Sequence, residues 1–167
     1  MPADVEAIMT EGVRIEVDAD SCGFEQPQYP VPDAESMVES LLEADRALSV
    51  GHMEYVPESE IDKVLRDHVV HPWLMVWQGK WRLCQDYSDG TNRSAKSGPF
   101  GLPSTWDAMR ALKPGSYMSK YDLRDFFWSI PVHEESRCHL VMRHPGTGRL
   151  MWCRSLPFGY FHLNHTD

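Results

Sequence analysis

Lys80 and Arg82 stand two residues apart in the run Lys80-Trp81-Arg82-Leu83-Cys84-Gln85-Asp86-Tyr87, which reads as a strand. Side chains at i and i+2 of a strand share a face. The planar guanidinium fork of Arg82 matches phosphate oxygens in a way a lysine cannot, and Lys80 adds a point charge beside it. The pair suits a polyphosphate, and it equally suits the solvated cations that keep an edge strand from aggregating. Asp122 closes a second predicted strand, where a carboxylate on a rigid element can ligate a hard divalent cation or bond nearby backbone. His133, His139 and His144 lie in a strand-rich stretch with Cys138 and Cys153, but their spacings fit no recognised zinc pattern. His68 and His71 could share a helix face, although His71-Pro72 more naturally marks a helix-to-strand break.

The elements that must position these residues follow from periodicity and turn chemistry. Apolar residues Met37, Val38, Leu41, Leu42, Ala44 and Leu48 recur with a helical period over 34–48. A second helix is predicted over 59–67, capped by Ser59, with Ile61, Val64 and Leu65 as its apolar stripe. Residues 69–77 and 80–87 form a predicted β-hairpin about Gln78-Gly79. Residues 88–101 read as loop. Ser104 caps a short helix with Asp107 three residues on and Trp106, Met109 and Leu112 facing inward, and Pro114-Gly115 ends it. Residues 116–123 read as a strand, followed by the aromatic segment Phe126-Phe127-Trp128. A second hairpin, 138–143 with 150–154, turns through His144-Pro145-Gly146-Thr147-Gly148. The order implies an α+β fold with helices packed on antiparallel strands.

The chain of 167 residues is 42% hydrophobic and 25% charged, ordinary values for a globular protein with one modest core. Its net charge of −9 is unevenly spread. Residues 1–67 hold seventeen acidic against four basic residues, whereas 68–167 hold twelve basic against eight acidic. Only the second part could face a phosphate backbone. Residues 1–33, acidic and broken by Pro27, Pro30 and Pro32, are expected to be a poorly ordered leader. The four cysteines, Cys22, Cys84, Cys138 and Cys153, form no Cys-x-x-Cys pair and read as reduced thiols of a cytoplasmic or nuclear protein. No signal peptide and no apolar run of about 20 residues is present, so no membrane partner is expected.

Four motifs in order resemble those of reverse transcriptases. The first is the 80–87 run followed by Asn92. The second is Gly101-Leu102-Pro103-Ser104 before a helix. The third is Tyr117-Met118-Ser119-Lys120-Tyr121-Asp122-Leu123-Arg124-Asp125-Phe126-Phe127, and the fourth is Leu156-Pro157-Phe158-Gly159. Each is weak alone, since an Asp at a strand end or a Pro-Phe-Gly turn arises often by chance. The resemblance covers residues 56–159 and leans toward LTR and tyrosine-recombinase retrotransposons. It implies a partial right-hand polymerase fold, fingers and incomplete palm, over 34–167. It implies Asp122 as catalytic residue and Mg2+ ligand, with the Leu123 carbonyl as a further ligand. It implies that Lys80 and Arg82 hold an incoming dNTP, that Asp125 and Phe126 offer backbone amides to it, and that Phe127 excludes a 2′-hydroxyl. Phe158 and Gly159 would line the same pocket, while Asp86 would be structural. The partners implied are an RNA or DNA template-primer and the remainder of a polyprotein.

The resemblance also implies carboxylates from an aromatic-x-Asp-Asp motif, which does not occur in the 167 residues. After Gly159 the sequence departs from the family, reading Tyr160-Phe161-His162-Leu163-Asn164-His165-Thr166-Asp167. A truncated domain is therefore expected, inactive alone, marginal in stability, with Mg2+ relevant only to a complete domain. A remnant that binds nucleic acid or a partner without chemistry is the alternative. Either reading requires Asp122 at a strand terminus in the same cleft as Arg82.

Overall fold

Pro72 divides what periodicity reads as one strand and sends its two halves into different sheets. In the computed structural model, which describes residues 3–18, 23–96, 104–113, 115–119, 121–123, 125–158 and 160, the elements run α1 (Ala3–Glu11), β1 (Phe24–Glu25), α2 (Ala34–Ser49), β2 (Met53–Tyr55), α3 (Glu58–Asp67), β3 (Val69–His71), β4 (Trp73–Trp77), β5 (Trp81–Gln85), α4 (Thr91–Ser94) and α5 (Thr105–Ala111). Two 3-10 turns, Phe127–Ser129 and Glu134–His139, precede β6 (Val141–Arg143) and β7 (Leu150–Cys153). No described helix is long and apolar enough to cross a membrane.

The larger sheet has the order β1-β3-β6-β7-β2, and β4 and β5 form a separate two-stranded sheet. The strands were expected to be antiparallel, but the larger sheet is mixed. β1 and β6 flank β3 in parallel, while β7 pairs antiparallel with both β6 and β2. Alternation along these strands builds two cores. Val70, Val141 and Leu150 face Val64 of α3. Met142, Met151 and Cys153 face Met53, Ala44, Ala47, Trp73 and Met75 on the opposite side.

Both predicted hairpins form. β4 and β5 pair from Trp73↔Gln85 to Trp77↔Trp81, and Gly79 takes the left-handed φ of 74° that the turn needs. β6 and β7 pair from Val141↔Trp152 to Arg143↔Leu150, and Cys138 and His139 fall in the 3-10 turn ahead of β6.

The helices differ from expectation in their faces. α2 is capped by Asp33, which accepts from the Ser36 amide at 2.7 Å. Its buried stripe is Ser36, Ser40, Ala44 and Ala47, while Val38 and Leu42 are exposed. Small side chains let α2 approach the β4–β5 hairpin closely, and the Ser40 hydroxyl is satisfied by the Met37 carbonyl at 2.7 Å. α3 begins at Glu58, after Pro57, rather than at a Ser59 cap. α5 has the expected Ser104–Asp107 capping box. However, Trp106, Met109 and Leu112 are exposed rather than inward, and the strand expected over 116–123 is absent from the described residues.

Described residues of the segment 1–33, expected to be a poorly ordered leader, make contacts with the rest of the chain. Ile15 is 6% exposed in the core, Val13 bridges Val132 and Val17 bridges Ala95. Arg143 grips Glu25 of β1 with two bonds of 2.6 and 2.8 Å, and the Gln28 amide bonds both polar backbone groups of Trp73. Charge and prolines hid a segment whose few apolar residues and carboxylates meet partners more than 40 positions away.

Candidate nucleotide-binding hollow

The β4–β5 hairpin, Arg46 of α2 and described residues 121–123 and 125–127 line an open hollow of about 600 Å³. Lys80 and Arg82 enter it from the hairpin, Asp122, Leu123, Asp125, Phe126 and Phe127 from the segment, and Phe158 from the far side. Every described residue that the reverse-transcriptase resemblance assigns to nucleotide or metal binding thus lines one space. Gly159 lies outside the described residues, as do Gly101, Leu102 and Pro103 of the second motif.

Local structure explains the convergence. Arg82 lies in β5, paired with Val76, and Lys80 lies in the turn just before that strand rather than on its face. Asp125 has φ 53° and Phe126 is right-handed, φ −51°. Successive residues of opposite hand turn their amides to one side, a concavity suited to anions. The 3-10 turn after Phe126 is closed by the Ser129 hydroxyl donating to the Phe126 carbonyl at 2.6 Å. Phe127 then meets Phe126 edge-on at 5.8 Å and Phe158 edge-on at 5.6 Å. A bridge between Pro131 and Ser155, with the Leu156 amide on the Ile130 carbonyl at 2.9 Å, holds Phe158 beside that turn.

Two residues near the hollow had no local signal in the sequence. Arg46 reaches from α2 to within 3.5 Å of Asp125, making a third cation in the space. His52 stacks on Trp128 at 5.1 Å in an adjoining cavity of about 280 Å³ that runs under the hairpin. Burial lowers the His52 pKa, Asp125 opposes that shift, and Arg46 adds to it. Both residues sit on or just after a helix whose pattern looks merely amphipathic. Asp86, expected to be structural, accepts from the Tyr29 hydroxyl at 2.6 Å and from the Ser88 amide at 2.9 Å; the Tyr29 bond chiefly holds its carboxyl below the usual range.

One expectation fails. Asp122 shares the hollow with Arg82, but it does not end a strand. Described residues 115–119 and 121–123 carry none, and Tyr117, Met118, Tyr121 and Leu123 are exposed. A strand needs a neighbour to pair with, and no described strand lies beside this segment. The donor set also falls short of the implied magnesium pair. Each ion takes about six oxygens, whereas the hollow offers the carboxylates of Asp122 and Asp125 amid Arg46, Lys80 and Arg82. These residues do not fit two divalent ions.

Comparison with known proteins agrees with the architecture. No family model matches the chain. A polyprotein of Cassava vein mosaic virus is 31% identical over 83 residues, covering 50% of this chain and 12% of that protein. The protease-reverse transcriptase of prototype foamy virus superposes with a TM-score of 0.64 at 20% identity, over 86% of this chain and 18% of that one. A foamy viral protease-reverse transcriptase in complex with double-stranded DNA gives 0.62 at 20% identity, over 91% and 24%. The chain has a reverse-transcriptase-like fold and spans less than a quarter of each of these relatives.

Proposed function

We propose that this chain is the fingers and partial palm of an RNA-directed DNA polymerase of a retrotransposon-like element, and that its hollow receives a deoxynucleoside triphosphate opposite a template base. The observation that carries this reading is the convergence of Arg82, Asp122 and Phe158 on one space from three separate motifs, with Phe127 beside them. Arg82 and Lys80 grip the triphosphate, with the amides of Asp125 and Phe126 as further donors. Phe127, braced by Phe126 and Phe158, lies beneath the sugar and excludes a 2′-hydroxyl, the group that distinguishes RNA from DNA. The DNA bound to one foamy viral relative supports a template-primer as partner.

Nucleotidyl transfer of this class clamps the attacking and leaving oxygens between two metal ions. The carboxylates here are too few, so the chain alone is inactive and Asp122 serves only where further carboxylates join it. The Arg-Asp-Phe-Phe and Leu-Pro-Phe-Gly runs favour the retrotransposon lineage by likeness. The test is primer extension by this chain lengthened with the remaining palm and thumb of a related polymerase. Asp122→Asn is expected to abolish incorporation and leave primer-template binding within about twofold. Retained incorporation would remove Asp122 from the mechanism.

A further inference from the structure

His68, Cys138 and His139 come together on the side of the molecule where α3 gives way to β3. Their ligating atoms all lie within 4.8 Å of one another. The two imidazoles meet edge-on at 5.0 Å, and all three side chains are partly buried. Two of the residues end the Glu134–His139 turn; His68 is the residue at which α3 stops, its amide bonded to the Val64 carbonyl at 3.0 Å. This is the sole group of three or more potential ligands found among the described residues, and none of the three lines the hollow.

We propose that His68, Cys138 and His139 form a site for a borderline-soft divalent ion, zinc or its substitute cobalt. The ligand chemistry selects the metal class. Two nitrogens and one sulfur suit zinc, whereas magnesium and calcium demand oxygens. A tetrahedral ion with bonds of roughly 2.0–2.3 Å draws its ligands closer than the present spread. The rearrangement is a side-chain adjustment, because Cys138 now donates only a weak bond to the Glu135 carbonyl at 3.3 Å. A metal takes the imidazoles in their neutral form and the thiol as thiolate, so binding releases protons. Three protein ligands leave the fourth position to water.

The site would have a structural effect. It ties the α3–β3 junction to the turn that leads into β6, elements about 70 residues apart in the chain. β3 and β6 are adjacent, parallel and short, paired only at Val70↔Val141 and His71↔Met142. An ion bound only by the folded chain stabilises that junction by mass action.

Titration of the full chain with cobalt, followed by its thiolate-to-metal absorption and by the thermal midpoint, tests the proposal without reference to polymerisation. One equivalent should bind with a thiolate band, zinc should displace it, and saturation should raise the midpoint. Cys138→Ser should remove the band. His68→Gln and His139→Gln should keep the band while weakening binding at least about tenfold, since loss even of an outer-shell partner costs about 10–100-fold. His133→Gln, whose ring faces Arg14 instead, should bind as the parent does. A band that persists in Cys138→Ser, or a parent chain that gives no band and no shift in midpoint, would overturn the proposal.

Discussion

Arg46 of α2 lies 3.5 Å from Asp125, so a helix far upstream is tied to the turn that follows Asp122. Both side chains are about half exposed, and both line the space where Lys80 and Arg82 converge. Within the proposed function, Arg46 is a phosphate-binding cation held by a carboxylate that a triphosphate would compete with.

Neutralising either member should change affinity for a free polyanion in opposite directions. An exposed pair of this kind is worth about 0–1 kcal/mol, so Asp125→Asn should tighten tripolyphosphate binding about two- to fivefold. Arg46→Gln should weaken it by a similar factor. Asparagine tolerates the left-handed φ at position 125, so the turn is preserved. Calorimetric titration of the two variants checks this; equal affinities would separate Arg46 from the site.

Residues 1–33 should contribute measurably to stability. Their deletion uncovers the partners of Ile15, whose burial is worth about 1.5–3 kcal/mol. It also removes the Glu25–Arg143 pair, partly exposed and worth about 1 kcal/mol at most. A thermal or urea midpoint clearly lower for 34–167 than for the full chain is expected. Identical midpoints would return the segment to the role of a detached leader.

Stability should fall as the medium is acidified through the range set by His71. Its ring is 2% exposed, and burial chiefly holds its pKa down to about 4 from 6.5, against the opposing pull of the Asp86 carboxylate and backbone bonds. The folded chain therefore refuses a proton that the unfolded chain accepts between those two values. The contribution of neutral His71 is complete above roughly pH 6.5 and is lost toward pH 4, about 3 kcal/mol at most. Urea unfolding from pH 7 to pH 4 should show this slope, and His71→Gln should flatten it. An unchanged slope would mean that other groups carry the acid sensitivity.

The elements legible in the sequence were those fixed by neighbours in the chain. Gln78-Gly79 between two apolar runs marked β4–β5, the Pro145-to-Gly148 turn marked β6–β7, and Ser104 with Asp107 marked the start of α5. What escaped was set by distant partners. Pro72 reads as a minor interruption until one sees that the strands on either side join different sheets. The serines of α2 look solvent-facing until the hairpin packs on them. Arg46 looks like one more charge on a helix, and His68 gives no sign that Cys138 and His139 will fold onto it. For the hollow itself, the resemblance to reverse-transcriptase motifs named Lys80, Arg82, Asp122, Phe127 and Phe158, and the structure places them around one space. Spacing did not reveal that the described residues of 116–123 would carry no strand, because that depends on a pairing neighbour.

The most direct test of the nucleotide-binding account is photolabelling of the chain with a photoreactive deoxynucleoside triphosphate, followed by mapping of the modified peptides. The account predicts label concentrated on peptides spanning 80–82 and 125–128, competed by unmodified triphosphate and reduced at least about tenfold in Arg82→Ala, with Arg82→Lys restoring only part of it because a point charge does not replace the guanidinium fork. Label scattered over the surface, or undiminished in Arg82→Ala, would contradict it.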